Sequence, residues 1–361
     1  QKGLAERFDS SIGGNSVLMP FGGKNQLTPT EGMVAKLPVI GAETTTATAM
    51  TYGYNPYLME WSPFHGAMYA VIESVAKMVA LGGRADKIRL TFQEYFESLG
   101  TDSRKWGRPF AALLGALWAQ HQLEIPAIGG KDSMSGTFMD LTVPPTLTSF
   151  AVDVMKADNA LSPEFKVAGS KVYYVPMPKD KLAMPDFRKL RDTYEKVSNF
   201  IAAKKVFAAS SVRMGGTAAA ITKMCLGNGI GFRFNSKPSM EDLFKADYGA
   251  LILEVAPDSD IKEALAGTGC YELGTTTQNS NIVAGEAVIG FAEAKKAYTS
   301  PLEKIFPTKV KVGEKKTASE YIYTGGNRVT PKVGIAKPKI FIPVFPGTNC
   351  EYDVAKAFED A

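Results

Sequence analysis

Ile128-Gly129-Gly130-Lys131-Asp132-Ser133-Met134-Ser135-Gly136 is the stretch on which the reading of this chain turns. A short apolar run breaks into paired glycines, and a cation, an acceptor and a hydroxyl follow at once. Glycines let a backbone approach a ligand closely, and Lys131, Asp132 and Ser133 add donors and acceptors at one point. That equipment suits a phosphate or a carboxylate. It also suits a tight turn with Lys131 as a solvated loop cation, so the surroundings must arbitrate.

Working outward, Trp106 to about His121 carries Phe110, Leu113, Leu114, Leu117 and Trp118 as the apolar stripe of a long helix leading into the glycine pair. His121 reads as a helix-end residue. Leu147 to Met155 then alternates as a strand. Further upstream, Ser62-Pro63 predicts a helix start, with Ser62 capping and Pro63 in the first turn. Met68, Val71, Ile72, Val75, Met78 and Val79 follow at helical spacing until Gly82-Gly83. His65, Tyr69, Glu73 and Lys77 stand four residues apart on another face, where Glu73 and Lys77 read first as an exposed ion pair. Residues 1–56 read as strands and loops, with short apolar runs such as Val17-Leu18-Met19. Asp9-Ser10-Ser11-Ile12-Gly13-Gly14-Asn15 has the composition of either a phosphate-facing or a plain surface turn.

Downstream, Lys171 to Val175 predicts a strand, Asp186 to Ala203 a charged helix and Lys205 to Ala209 another apolar run. Ser210-Ser211-Val212-Arg213-Met214-Gly215-Gly216 comes next and opens a helix from Thr217. A strand, a glycine pair and a helix start gather backbone N–H groups at one spot, which favours an anion; the same layout serves plain packing. Strands near 250–255 and 282–290 and a helix near 259–266 complete an α/β or α+β unit. Lys339 to Phe345 reads as an apolar strand, Pro346 to Cys350 as a turn and Glu351 to Asp360 as a helix.

The 361 residues predict two to three domains. With 45% apolar and 22% charged residues the composition is that of a globular protein. No apolar run is long enough to span a membrane, and the first residues lack a signal-peptide core. The absent Met at position 1 points to a piece of a longer chain. Cys225, Cys270 and Cys350 are too few and too scattered for a disulfide framework or zinc site, which fits a reducing, cytoplasmic setting. Residues 295–339 hold eleven Lys/Arg against three Glu, a local +8 within an overall +4. Sparse aromatics and no recognition-helix pattern make this a solvated linker rather than a nucleic-acid surface.

In this order, Arg7-Phe8-Asp9-Ser10-Ser11-Ile12-Gly13-Gly14, Gly53-Tyr54-Asn55-Pro56, Gly130-Lys131-Asp132-Ser133-Met134-Ser135, Pro301-Leu302-Glu303 and Phe306-Pro307 resemble phosphoribosylformylglycinamidine synthase in its large single-chain form. Phe345-Pro346-Gly347-Thr348-Asn349-Cys350-Glu351 is similar to the first turn of that family's glutamine amidotransferase domain. The resemblance implies an α/β (α+β) fold of the aminoimidazole ribonucleotide synthetase type, with an N-terminal sheet half over 1–157 and a C-terminal α/β half over 158–298. A basic linker over 299–338 and a truncated amidotransferase start over 339–361 follow. It implies a carbon–nitrogen ligase of purine biosynthesis that uses ATP, Mg²⁺ and glutamine. This chain looks like the second of two pseudo-symmetric copies, with the first copy and the glutaminase domain as partners, or a second fragment in their absence.

The family's nucleotide site uses an Asp on an early strand, a Glu and an Asn one helical turn apart, and an Asp and Ser just before a Gly-Gly pair. Here Glu73 matches the Glu, but Lys77 stands for the Asn. No Asp occurs between Met33 and Pro56, and Ser211 and Arg213 precede Gly215-Gly216. Losing those oxygen ligands removes the cage a hard cation needs, so Glu73 is a doubtful metal ligand and the site is expected to be degenerate. Lys77 and Arg213 are expected to bind a bare phosphate or to pair with Glu73. By pseudo-symmetry Asp9, Gly13 and Gly14 are expected to reach the first copy's pocket. Gly130, Lys131, Asp132 and Ser133, and Ser211, Arg213, Gly215 and Gly216, are expected to face a nucleotide or substrate. Cys350 lacks the elbow and the His partner of an amidotransferase nucleophile, so no catalytic residue is assigned and no glutaminase activity is expected. A selenophosphate synthetase or thiamine-phosphate kinase relative, and a non-catalytic scaffold, are the competing readings.

Overall fold

The computed structural model describes residues 2–8, 15–309, 334–335 and 337–360. Asp9, Gly13 and Gly14, and most of the basic stretch, lie outside the described residues. The chain divides into two units, Gln1–Val310 and Lys311–Ala361.

In the larger unit, α1 (Lys2–Phe8) and the short hairpin of β1 (Phe21–Gly22) and β2 (Thr28–Pro29) lead into a first sheet. Its strands are β3 (Met33–Lys36), β4 (Thr46–Gly53), β5 (Arg89–Tyr95), β6 (Ala127–Lys131) and β9 (Thr146–Lys156). They lie in the order β3-β4-β9-β5-β6, antiparallel except for the parallel β5–β6 pair. A minor hairpin, β7 (Thr137–Phe138) and β8 (Leu141–Thr142), follows β6. The helices are α2 (Pro56–Trp61), α3 (Pro63–Ala80) and α4 (Ser103–Leu123).

The second sheet runs β11-β13-β10-β14-β12-β15-β16, antiparallel apart from β12–β15. Its strands are β10 (Lys171–Val175), β11 (Val206–Ser211), β12 (Gly231–Phe234), β13 (Leu251–Val255), β14 (Tyr271–Thr277), β15 (Ile282–Ala284) and β16 (Ala287–Ile289). Around it lie α5 (Phe187–Ala202), α6 (Gly216–Asn228), α7 (Met240–Phe244), α8 (Ile261–Ala264) and α9 (Phe291–Thr299). The stretch near 282–290, expected as one strand, folds back on itself at Gly285, whose φ of 62° places it in the left-handed region.

The core is built on α3. Ser62 accepts a hydrogen bond from the His65 N–H and Pro63 opens the helix, as its spacing predicts. Met68, Val71, Ile72, Val75, Met78 and Val79 are all fully buried, each contributing about 1.5–3 kcal/mol of transfer free energy. One side of α3 packs on β4 and β9 and others meet α4, α5 and β11, so even its polar positions are interior.

One expectation fails for a reason of packing. The apolar stripe of α4 faces outward: Phe110, Leu113, Leu114, Leu117 and Trp118 are 43–63% exposed. The buried stripe is Ala112, Gly115, Ala116 and Ala119. A Cβ on Gly115 would stand 2.0 Å from the Phe64 carbonyl oxygen, so α4 lies against α3 too closely for large side chains. Residues 1–56 also begin with a helix, α1, rather than a strand or loop, and Val17-Leu18-Met19 forms no strand.

In the smaller unit α10 (Glu351–Asp360) forms as its sequence predicts. Lys339 to Phe345 is not a strand, and Phe341 and Phe345 are exposed. An extended run becomes a strand only when a neighbour takes up its backbone hydrogen bonds, and Pro343 lacks a donor.

Candidate functional site

At the seam of the two sheets five charged side chains meet. Glu73 and Lys77 arrive from α3, one turn apart and aimed at the end of β4. Glu31 comes from the loop between β2 and β3, Arg213 from the turn after β11, and Lys223 from the middle of α6. Glu31 and Glu73 against Lys77, Arg213 and Lys223 leave one excess positive charge.

Each carboxylate oxygen is occupied. Glu73 Oε1 lies 2.7 Å from Lys77 Nζ and 3.9 Å from Arg213 Nη1, while Oε2 accepts from the Tyr54 N–H at 3.2 Å. Lys77 also donates to the Tyr52 carbonyl at 2.6 Å and sits 4.0 Å from the centre of the Tyr52 ring. Glu31 Oε1 accepts from Ser210 Oγ at 2.8 Å and the Ser211 N–H at 3.1 Å, and Oε2 from Ser211 Oγ at 2.6 Å. The Glu73–Lys77 pair is thus the expected one but is buried rather than exposed, with Lys77 only 1% accessible.

Electrostatics follow the geometry. Burial alone would raise the Glu31 carboxyl, but Arg213, the Ser211 and Ser210 hydrogen bonds and Lys77 outweigh it and hold it below the usual range. Burial lowers Lys77, helped by the like charge of Arg213 and opposed by Glu73 and Glu31. Burial, then Arg213, also lowers Lys223. Arg213 is pushed up by Glu31 and Glu73 against the opposing effect of its own burial.

A magnesium ion needs free oxygen ligands in near-octahedral array, and this donor set does not offer them. Among the described residues no group of three or more His, Cys, Asp or Glu side chains is placed to hold a metal. The residues present do not fit the ion, and ammonium and guanidinium groups stand beside Glu73.

The candidate residues separate into two places. Ser211, Arg213, Gly215 and Gly216 join Glu73 and Lys77. At the start of α6 Gly216 of the glycine pair is crowded by carbonyls of the α7 segment. Thr217 Oγ1 donates to the Asp242 and Leu243 carbonyls at 3.2 and 3.3 Å. A Cβ on Gly216, at φ 62°, would meet the Leu243 oxygen at 2.4 Å.

Gly130, Lys131, Asp132 and Ser133 lie on and just beyond β6, the far edge of the first sheet, with β9 and β5 between them and β4. Here the glycine pair is not a turn: it continues the strand, and Lys131 and Asp132 are exposed. Gly130 is required by its neighbour strand, because a Cβ would stand 2.6 Å from the Phe92 oxygen, whereas Gly129 has open space. Beneath the loop, Glu94 is buried with Oε1 unpartnered among the described residues. Burial and the nearby Asp132 push it up to about 7.

Glu31, Lys223 and Glu94 escaped the sequence reading. Glu31 sits in a Thr-Glu-Gly loop like any surface turn, and it meets Ser211 across 180 residues. A cleft of about 260 Å³ lies elsewhere, where Val75, Leu123 and Glu124 face α5. Four of its charges are matched as Arg84–Asp86 and Arg191–Glu124, and Glu195 also lines it.

No family model matches the chain. It is similar to phosphoribosylformylglycinamidine synthase subunit PurL of Picrophilus torridus, 26% identical over 336 residues covering 83% of this chain and 42% of that one. The same subunit of Thermoplasma acidophilum is 22% identical over 293 residues, covering 71% and 36%. The chain therefore spans about two-fifths of the length of these relatives. Among solved structures it is similar to T. maritima PurL complexed with FGAR (TM-score 0.58, 14% identity, 72% of this chain and 47% of that one). T. maritima PurL complexed with ATP follows at TM-score 0.55 and 14% identity, covering 91% and 53%. AaThiL complexed with AMPPCP and TMP gives 0.51 and 12% identity, covering 78% and 91%. The fold is the mixed α/β fold of the aminoimidazole ribonucleotide synthetase type that PurL and ThiL share, and its sequence relatives at low identity are PurL subunits.

Proposed function

We propose that this chain is part of a glutamine-dependent ligase of purine biosynthesis that converts formylglycinamide ribonucleotide to its amidine with ATP, and that it forms the second, pseudo-symmetric half. The similarity to PurL over two-fifths of the relatives' length supports this reading, as does the motif order. In the whole enzyme Mg²⁺ neutralises charge on the transferring phosphate. The pocket built on Glu73 in this half does not hold that magnesium-bound nucleotide, because its oxygen ligands are exchanged for cations. The observation that carries the reading is the internal neutralisation of Glu73 by Lys77 at 2.7 Å with Arg213 beside it.

Residues 1–157 and 158–298 are its two halves, 299–338 its linker and 339–361 the start of the amidotransferase domain. Its partners are the first synthetase-like half and the glutaminase domain, in the cytoplasm. The outer face of the first sheet, where Met33, Met50, Tyr52 and Val154 are 39–64% exposed, is the surface the first half covers. Gly130 to Ser133 and the segment of Asp9, Gly13 and Gly14 serve nucleotide or substrate across that junction. A charge-removing change at Asp9 in the full enzyme then lowers turnover without affecting folding.

Calorimetric titration of the chain with ATP or ADP and Mg²⁺ is expected to show no Mg²⁺-dependent binding; a nucleotide coordinated through Glu73 in a soaked crystal overturns the proposal. Amidine formation from ammonia is expected only when the first half is supplied, and activity of this chain alone would contradict the assignment. The ThiL likeness keeps a phosphotransferase of the same fold as second reading, which nucleotide binding by this chain alone would favour.

A further inference from the structure

The outward face of α4 has no partner in the structure described and has the pattern of a helix–helix seam. Trp106, Phe110, Leu113, Leu114, Leu117 and Trp118 are 43–63% exposed. The steps 106, 110, 113 and 117, and again 110, 114, 117 and 121, alternate four and three, the 3.5-residue repeat of two helices packed side by side. From Trp106 to His121 this outer stripe carries no Asp, Glu, Lys or Arg, and Gly107 leaves room for close approach, with nothing within 4 Å of an added Cβ. A four-turn uncharged stripe exposed to water marks an interaction surface.

The stripe also reads as its own antiparallel complement. A two-fold axis between Leu113 and Leu114 sets Leu113 against Leu114, Phe110 against Leu117 and Trp106 against His121. The same register brings Arg104, whose guanidinium has no partner among the described residues, next to Glu124, which is 73% exposed and pairs with Arg191. Leucines fall at the centre, aromatic rings on either side and opposite charges at the ends. Six large side chains at half exposure offer on the order of 500 Å² per copy, and the pair reaches the lower range of specific interfaces.

We propose that α4 is a self-association surface and that its occupant is the α4 helix of a second copy of this chain, packed antiparallel about a two-fold axis. This rests on the α4 geometry alone and is independent of the ligase reading.

Sedimentation of the 361-residue chain is expected to show a concentration-dependent dimer. Leu114→Asp, an exposed change that leaves the circular dichroism spectrum intact, weakens it by about 30-fold, the effect of removing a central anchor. Val154→Asp, on the open face of the first sheet, leaves it unchanged. Register is read by cross-linking in a Cys350→Ser background: a mixture of Phe110→Cys and Leu117→Cys chains forms an intermolecular disulfide, and neither variant alone does. A monomer at every concentration, a dimer indifferent to Leu114→Asp but lost in Val154→Asp, or cross-linking of Phe110→Cys with itself would each overturn the proposal.

Discussion

Glu31 shows what a single carboxylate contributes when three cations, Lys77 buried and Arg213 and Lys223 half-buried, surround it. Its two oxygens accept three hydrogen bonds from Ser210 and Ser211. Removing it leaves Arg213, Lys77 and Lys223 short of countercharge. Glu31→Ala is therefore expected to cost about 3 kcal/mol in denaturant unfolding at neutral pH, the usual range for orphaning a buried ion. Because its folded pKa lies below the ordinary 4.5, its contribution is present above that value and lost as pH falls through the lower folded one. The variant should accordingly lose part of the acid limb of the stability curve. Glu94 behaves oppositely. Its carboxyl, pushed up to about 7 by burial and by Asp132, stays protonated in the folded chain between pH 4.5 and 7 while the unfolded chain has ionised. Stability therefore falls as pH rises through that window. Glu94→Gln should flatten this slope and raise stability at pH 8 by no more than about 2 kcal/mol, since the site is partly screened. An unchanged slope in the variant would refute the assignment.

At the scale of elements, the glycine pairs separate by the atoms a Cβ would meet. Gly216→Ala, forced to φ 62° against the Leu243 oxygen, should lose about 2 kcal/mol or more as the α6 start shifts from α7. Gly129→Ala, with open space around it, should change thermal stability by less than about 0.5 kcal/mol. If Gly129→Ala instead abolished ligand binding by the full ligase while leaving stability intact, its glycine would be kept for approach to a ligand. Both pairs looked alike as sequence, since a glycine's reason lies in its neighbour rather than in its own residue type. The α4 stripe makes the same point: hydrophobic periodicity located the helix but not its inner face, which small residues claimed because α3 comes so close.

Across the whole molecule, the α3 helix and the strand–glycine–helix unit after β11 were legible from spacing and capping, which act over a few residues. The identity of the charges at the seam was half legible. The resemblance singled out Glu73, Lys77, Ser211 and Arg213, and the pairing of Glu73 with Lys77 followed from a four-residue step. A consequence belongs to the molecule as a unit. Lys77→Asn together with Arg213→Ser would remove the cations beside Glu73 and expose its oxygens. Because neither of the family's Asp ligands is restored, the double variant should lose stability, with Glu31 and Glu73 left short of countercharge, and should still show no Mg²⁺-dependent nucleotide affinity by calorimetry; a measurable gain would mean that the two cations alone close the pocket.

The sequence by itself determined where helices start and stop, which segments are apolar and which oxygen ligands were exchanged for cations, because propensity, capping and residue identity are local. Only the tertiary structure decided that Glu31 closes the charge cluster, that the Gly130 strand lies at a sheet edge with two strands between it and the β4 end that Glu73 faces, and that α4 turns its large side chains outward. Those outcomes depend on which distant surfaces fit at van der Waals distance, and a linear order of residues does not encode that fit in any short window.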